Sequence, residues 1–181
     1  MYMRLRILVM GLLFTVFPGI SGAVPVDVKS VTIRESSSII RIDGVLDEEA
    51  WIHAEAAQDF FQRFPADTSN AITLTAVKLT YDEDFFYVGA VCQDHVKGDY
   101  VVESLRRDFE GRGNDALNII IDPFSDLTNG FLFGITPYGV QRESLIINGG
   151  SGRHDENTSW DNKWFSKVTR HEDHWVAEIA I

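Results

Sequence analysis

The chain has 181 residues, 16 lysines and arginines against 27 aspartates and glutamates, a net charge of −11 and one cysteine. An acidic surface of that size disfavours nucleic acid and anionic membrane as partners. A lone cysteine excludes an internal disulfide framework.

Arg4 and Arg6 precede an apolar run, Ile7 to Phe17, which ends in Pro18-Gly19 and the small residues Ser21-Gly22-Ala23. This pattern predicts a secretory signal peptide over 1–23, cleaved after Ala23, and a mature domain over 24–181. The run falls short of the roughly 20 apolar residues that a membrane span needs. No cysteine stands at the cleavage point, so a lipid anchor is not expected. Export implies a periplasmic, outer-membrane or cell-surface location.

Beyond the leader the pattern is one of strands and turns. Val31–Arg34 and Ile39–Ile42 are expected to open the fold as a pair. Asp43-Gly44 is a turn, and Asp47 is placed to cap a short helical segment over 47–57, with Glu48 and Glu49 at the positive end of its dipole. Leu46 and Trp51 would fold back over a sheet, making this segment a lid. Phe60, Phe61 and Phe64 form an aromatic patch closed by Pro65. Residues 72–81 and 85–93 form a hairpin around Asp82-Glu83-Asp84, with Cys92 read as a buried, inert thiol.

A polar stretch, 94–115, is the longest gap between strands and carries Arg106, Arg107 and Arg112. Long loops in compact domains are often functional. Residues 116–122 suit a sheet centre, and Pro123 stops that strand. Residues 131–136 and 141–147 form a second hairpin. A glycine-rich loop follows over 148–162, then a last pair over 163–169 and 175–181. About nine short strands with one short helix near the N-terminus predict an all-β fold, an antiparallel β-sandwich of jelly-roll type. The sequence stops inside an apolar strand, so the sandwich is expected to continue past Ile181.

Four segments stand in order: IRIDGVLDEEAW (40–51), VKLTYDEDFFYVGAVCQD (77–94), NDALNIIIDPFSD (114–126) and WVAEIAI (175–181). Together they resemble the family 9 carbohydrate-binding modules. The likeness is greater to a subgroup of exported bacterial proteins in which the module precedes a C-terminal region resembling an outer-membrane barrel. Residues 104–144 and WDNKWF (160–165) carry that closer likeness. The resemblance implies a non-catalytic module for polysaccharide or oligosaccharide, serving polysaccharide catabolism, with a barrel of the same full-length protein as a further partner. Two departures accompany it. Arg112 stands where sugar-binding members carry a stacking tryptophan, and Gly134 falls near the position of a sugar-reading arginine.

Sugar recognition joins aromatic faces to hydroxyl-reading polar groups. The candidate residues are therefore Trp160, Trp164 and Asn162, with Arg106, Arg107 and Arg112 as a basic cluster suited to hydroxyls or a uronate carboxylate. In an extended chain Trp160 and Trp164 project to one side; as core caps they would serve packing instead. The arginines have local acids, Asp108, Glu110 and Asp115, as alternative partners. No cofactor is called for. Asp43, Asp47 and Glu48, or Asp122 and Asp126, are oxygen donors suited to calcium, and equally to turns and caps. Related sandwiches also bind haem, but every methionine (Met1, Met3, Met10) lies in the leader. No paired-carboxylate, triad or zinc-protease pattern marks an enzyme.

Overall fold

The computed structural model describes residues 30–62, 69–94, 99–111, 113–150 and 155–181. The leader, Phe64-Pro65 and Arg112 lie outside the described residues.

Two sheets face each other. One has the order β1 (Arg34–Glu35), β3 (Thr75–Tyr81), β4 (Phe86–Gln93), β10 (His174–Ala180), β9 (Phe165–Arg170), with β2 (Ala56–Ala57) also on β3. The other runs β5 (Leu117–Ile121), β6 (Gly130–Ile135), β7 (Gln141–Ile146), β8 (Glu156–Asn157). All pairings are antiparallel except the two-residue contact of β1 with β3. The expected β-sandwich is therefore present, with both hairpins where the alternation places them. β10 inserts between β4 and β9, which buries it from His174's neighbour Trp175 to Ala180.

Alternation along each strand separates the two faces. Val88, Ala90 and Cys92 of β4 and Trp175, Ala177 and Ile179 of β10 point between the sheets and meet Phe133 and Ile135 of β6. Burial pushes the Cys92 thiol up to about 12, so it stays protonated and inert, as its apolar strand suggests.

The lid lies on the opposite face of the larger sheet. Trp51 is fully buried there with Ile40, Ala50, Tyr87 and Ala180, and Leu46 packs alongside. Gly89 of β4 makes this close approach possible: a β-carbon there would lie 2.9 Å from Cδ2 of Leu46 and 3.2 Å from Cε3 of Trp51. Gly44, at φ 85, lets the turn come down beside Thr169 of β9.

Two local expectations change. Helix α1 (Glu49–His53) is shorter than the acidic run suggests, and its N-cap is Glu48, not Asp47. The Glu48 side chain does not cap it; its carboxylate accepts instead from the backbone N–H of Arg41, 3.0 Å away, and Ser38 Oγ accepts from the first-turn N–H of Ala50 at 3.2 Å. Residues 31–34 and 39–42 do not pair with each other. Only Arg34–Glu35 is strand, joined to Thr80–Tyr81, because Ile40 and Ile42 are drawn into the lid's apolar cluster.

Candidate functional site

The loop ahead of β5 is fastened to the start of β7 by Asp108, whose N–H donates to the Gln141 carbonyl at 3.0 Å. Asp108 has φ 59, a left-handed conformation that aspartate tolerates. On one side of that kink Arg107 reaches toward the space between the sheets; on the other Phe109 covers Arg142.

Of the sequence-predicted candidates, Arg107 reaches Asn162 directly and Trp164 through a shared carboxylate. Its guanidinium donates to both Glu143 Oε1, by Nε (3.1 Å) and Nη2, and Gln141 Oε1 (2.7 Å). Nη2 also donates to the Asn162 carbonyl at 3.1 Å and lies 3.5 Å from Asp161. The Glu143 hydrogen bond holds the guanidinium even more firmly protonated than usual. Glu143 itself is buried, 1% exposed, and its second oxygen accepts from Trp164 Nε1 at 3.1 Å. Residues 36 and 21 positions apart thus converge on one carboxylate.

The two tryptophans do share a side, since both meet the ring of Phe133. Their exposure differs. Trp164 is 4% exposed and has no open face for a ligand; it is a core residue whose indole N–H satisfies Glu143. Trp160 is half-buried, tilted 35° on Phe131 at 5.0 Å, at the margin of the core. Asn162 is half-buried, with Oδ1 accepting from the Lys163 N–H. Arg106 is exposed, next to this strip in sequence, with its backbone N–H on Ser104 Oγ.

Glu143, Gln141 and Arg142 escaped sequence reasoning. In QRES they look like the polar face of a strand, yet Arg142, Glu143 and Ser144 are all buried. The usable signal is a run of charged residues opposite the apolar strand GFLFGI, which only a sheet covered on both faces requires. Arg142 pairs with Glu156 and lies 5.7 Å from the Phe109 ring. Its side chain crosses Gly134, the position where the resemblance implies an arginine: a β-carbon there would come within 2.6 Å of both Arg142 Cγ and Asn118 Oδ1. The stem of a buried side chain cannot give way cheaply, so Gly134→Ala is expected to lower stability by about 1–3 kcal/mol in urea denaturation.

Asp122 and Asp126 take up turn roles. Asp122 accepts from the N–H groups of Phe124, Asp126 and Leu127, and Asp126 from those of Thr128 and Asn129. The Asn129 bonds hold Asp126 far below the usual carboxylate range. Among the described residues no three acids, histidines or cysteines come close enough to hold a metal ion.

No protein-family model matches the chain, and no curated protein does. Solved structures similar to it include two of a family 9 carbohydrate-binding module from Caldicellulosiruptor kristjanssonii, one in complex with cellotriose and one with glucose. Identity is 17% and 16%, with a TM-score of 0.55 in each case. The alignments cover 82% and 83% of this chain but 66% and 68% of those chains, so it spans about two thirds of their length. Strand order, lid and core thus form a β-sandwich with the fold of the family 9 carbohydrate-binding modules.

Proposed function

We propose that the domain binds oligosaccharide without catalysis, on the surface formed by Arg107 and the segment Trp160–Asn162, with Arg106 next to Arg107 in sequence. The observation that carries this reading is the Arg107 bridge, which ties a forked donor from one loop to Asp161 and Asn162, the two residues that follow the half-buried Trp160. Such a pairing of flat apolar face and planar donor suits a pyranose ring. Arg107 is 43% exposed, so part of its fork is accessible beyond Glu143. Binding is favoured over hydrolysis because both fully buried glutamates, Glu143 and Glu178, already have donors within the chain. The solved modules of this fold were captured with cellotriose and glucose, which supports the same ligand class here. In this reading residues 1–23 are a leader, the mature domain faces the periplasm or cell surface, and it serves a larger protein that handles polysaccharide.

Affinity electrophoresis on xylan, soluble cellulose derivatives and uronic-acid polymers tests the proposal. Trp160→Ala is expected to weaken retention roughly tenfold, the scale of one lost stacking contact, while circular dichroism stays unchanged. Unaltered migration of the intact protein on every polymer would rule out carbohydrate binding at this surface.

A further inference from the structure

The larger sheet is bounded by β9 at one end and by β1 and β2 at the other; the smaller sheet is bounded by β5 and β8. An edge strand carries a row of unpaired N–H and C=O groups that a further strand can take up, and proteins blunt such edges by brevity or by charge. β1, β2 and β8 are two residues long. β9 is six residues long and carries Lys167 and Arg170, both exposed. β5 (LNIII) has neither defence: it is five residues long and uncharged, and its Ile120 is 61% exposed. Among the described residues, no backbone bond reaches β5 or β9 except from the inner neighbours β6 and β10.

The two long edges are opposite in charge. Residues 113–141, which hold β5 and the turn after it, contain Asp115, Asp122 and Asp126 and no lysine, arginine or histidine. Residues 163–170, which hold β9, contain Lys163, Lys167 and Arg170 and no acid, in a chain whose net charge is −11. None of these six groups has an ion-pair partner among the described residues. Backbone N–H groups fix the three aspartates in place: Val101 on Asp115, Leu127 on Asp122 and Asn129 on Asp126, each at 2.8 Å. The edges also lie on opposite flanks of the sandwich. Ser166 of β9 accepts from Gln141 of β7 at 2.8 Å, whereas Leu117 of β5 stands by Thr75 of β3 and Cys92 of β4. One molecule can therefore offer both edges at once.

We infer that β5 of one molecule pairs with β9 of a second copy, joining the smaller sheet of one to the larger sheet of the next. Charge selects this pairing over the two symmetric ones. β5 on β5 would bring Asp115 and Asp122 of two copies together, and β9 on β9 would do so with Lys167 and Arg170. Like charges across a strand pair destabilise it, and opposite charges support it. The exposed side chains of Phe124 and Leu127 beyond β5, and of Phe165 on β9, supply the apolar part of the contact. Because the two surfaces differ, molecules add head to tail and do not stop at a closed dimer.

Sedimentation velocity of the full chain over a concentration series tests this. Larger species are expected to grow with concentration at about 0.01 M salt and to vanish at about 1 M, as the Debye length falls from about 30 Å to about 3 Å. Hydrogen exchange at residues 117–121 should slow over the same series at low salt. Ile120→Lys on β5 should give a monomer at low salt, and so should Lys167→Glu with Arg170→Glu on β9. All three positions are exposed, so circular dichroism should be unchanged. Mixed together, the two variants should associate again, since one keeps β9 and the other keeps β5. A monomer at every concentration would overturn the inference. So would association that survives in the β9 variant alone, which is β5 pairing with itself, or no recovery on mixing. Protection of the β5 amides that is independent of concentration would place another part of the same chain on that edge, and would overturn it equally.

Discussion

Replacing Glu178 by alanine is expected to cost about 3–5 kcal/mol of folding stability, a large share of the 5–15 kcal/mol typical of a domain. Glu178 sits in the middle of β10, fully buried, on the face that meets the lid. Its Oε2 accepts from the backbone N–H groups of Asp43 (2.8 Å) and Gly44 (2.9 Å), and Oε1 from Trp51 Nε1 (3.0 Å). One carboxylate therefore holds the turn and the anchor of the lid together. Alanine would leave the Gly44 N–H and the Trp51 indole N–H without a partner in a place water enters poorly, while the Asp43 N–H keeps the Arg41 carbonyl at 2.8 Å. Glutamine tests the chemistry more finely. Its oxygen can serve the two backbone donors, but its NH₂ would then face the indole N–H. Trp51→Phe removes that opposing donor, so Glu178→Gln should cost distinctly less in a Trp51→Phe background than alone. Additive costs in that cycle, measured by urea unfolding, would show that the indole bond is not the coupling. The pH dependence has a definite sign. Burial raises the Glu178 pKa, and the donors of Gly44, Trp51 and Asp43 only partly offset it. The folded state thus binds the proton more readily than the unfolded state, and its contribution is present at low pH and lost as pH rises through the raised value. The stability difference between wild type and Glu178→Gln should fall across that window.

The lid shows where a sequence is readable and where it is not. Asp43-Gly44, Leu46 and Trp51 announce a turn and two apolar anchors by local chemistry alone, and the structure places all of them over the larger sheet. What fastens them lies more than 120 positions away and has no local signature. Glu178 interrupts the apolar run WVAEIAI, and only the insertion of β10 between β4 and β9 makes that acid a buried one. The helix cap failed for a related reason. Asp47 has the right chemistry, but Glu48 is the residue that the tertiary bond to Arg41 fixes at the helix start. The hairpins were legible because their alternation and turn residues lie within one stretch. At the candidate site, the same-side projection of Trp160 and Trp164 followed from backbone periodicity. Their unequal burial did not, since it depends on Phe131, Phe133 and Glu143 arriving from the other sheet.

Glu143 allows a second large effect to be separated into parts, because its partners differ in access to water. Arg107→Ala is expected to cost about 2–3 kcal/mol, since it strands a 1%-exposed carboxylate with the Trp164 indole as its remaining donor. This figure is set below the 3–5 kcal/mol seen when a fully buried pair is broken, because the guanidinium is itself 43% exposed and screened. Glu143→Leu should cost less, about 1–2 kcal/mol: it removes the buried charge, orphans one indole N–H, and leaves an arginine that water can reach. The double variant should then resemble Glu143→Leu alone, giving a favourable coupling close to the whole Arg107 effect. Hydrogen exchange supplies a second readout. Arg107, the Asp108–Gln141 bond and the Phe109–Arg142 contact tie the loop to β7, and Arg107 ties it to the Asn162 strip, so Arg107→Ala should speed exchange at Asp108 and Phe109 while the β4 and β10 amides stay protected. Additive single effects, or unchanged exchange in the loop, would mean that Glu143 is satisfied by other groups and that Arg107 is free to serve a ligand alone. If the coupling holds, the arginine offered to a sugar is the one that also fixes the loop, so its variants cannot test binding by themselves. Trp160, at the margin of the core, is the residue whose loss reports on the ligand.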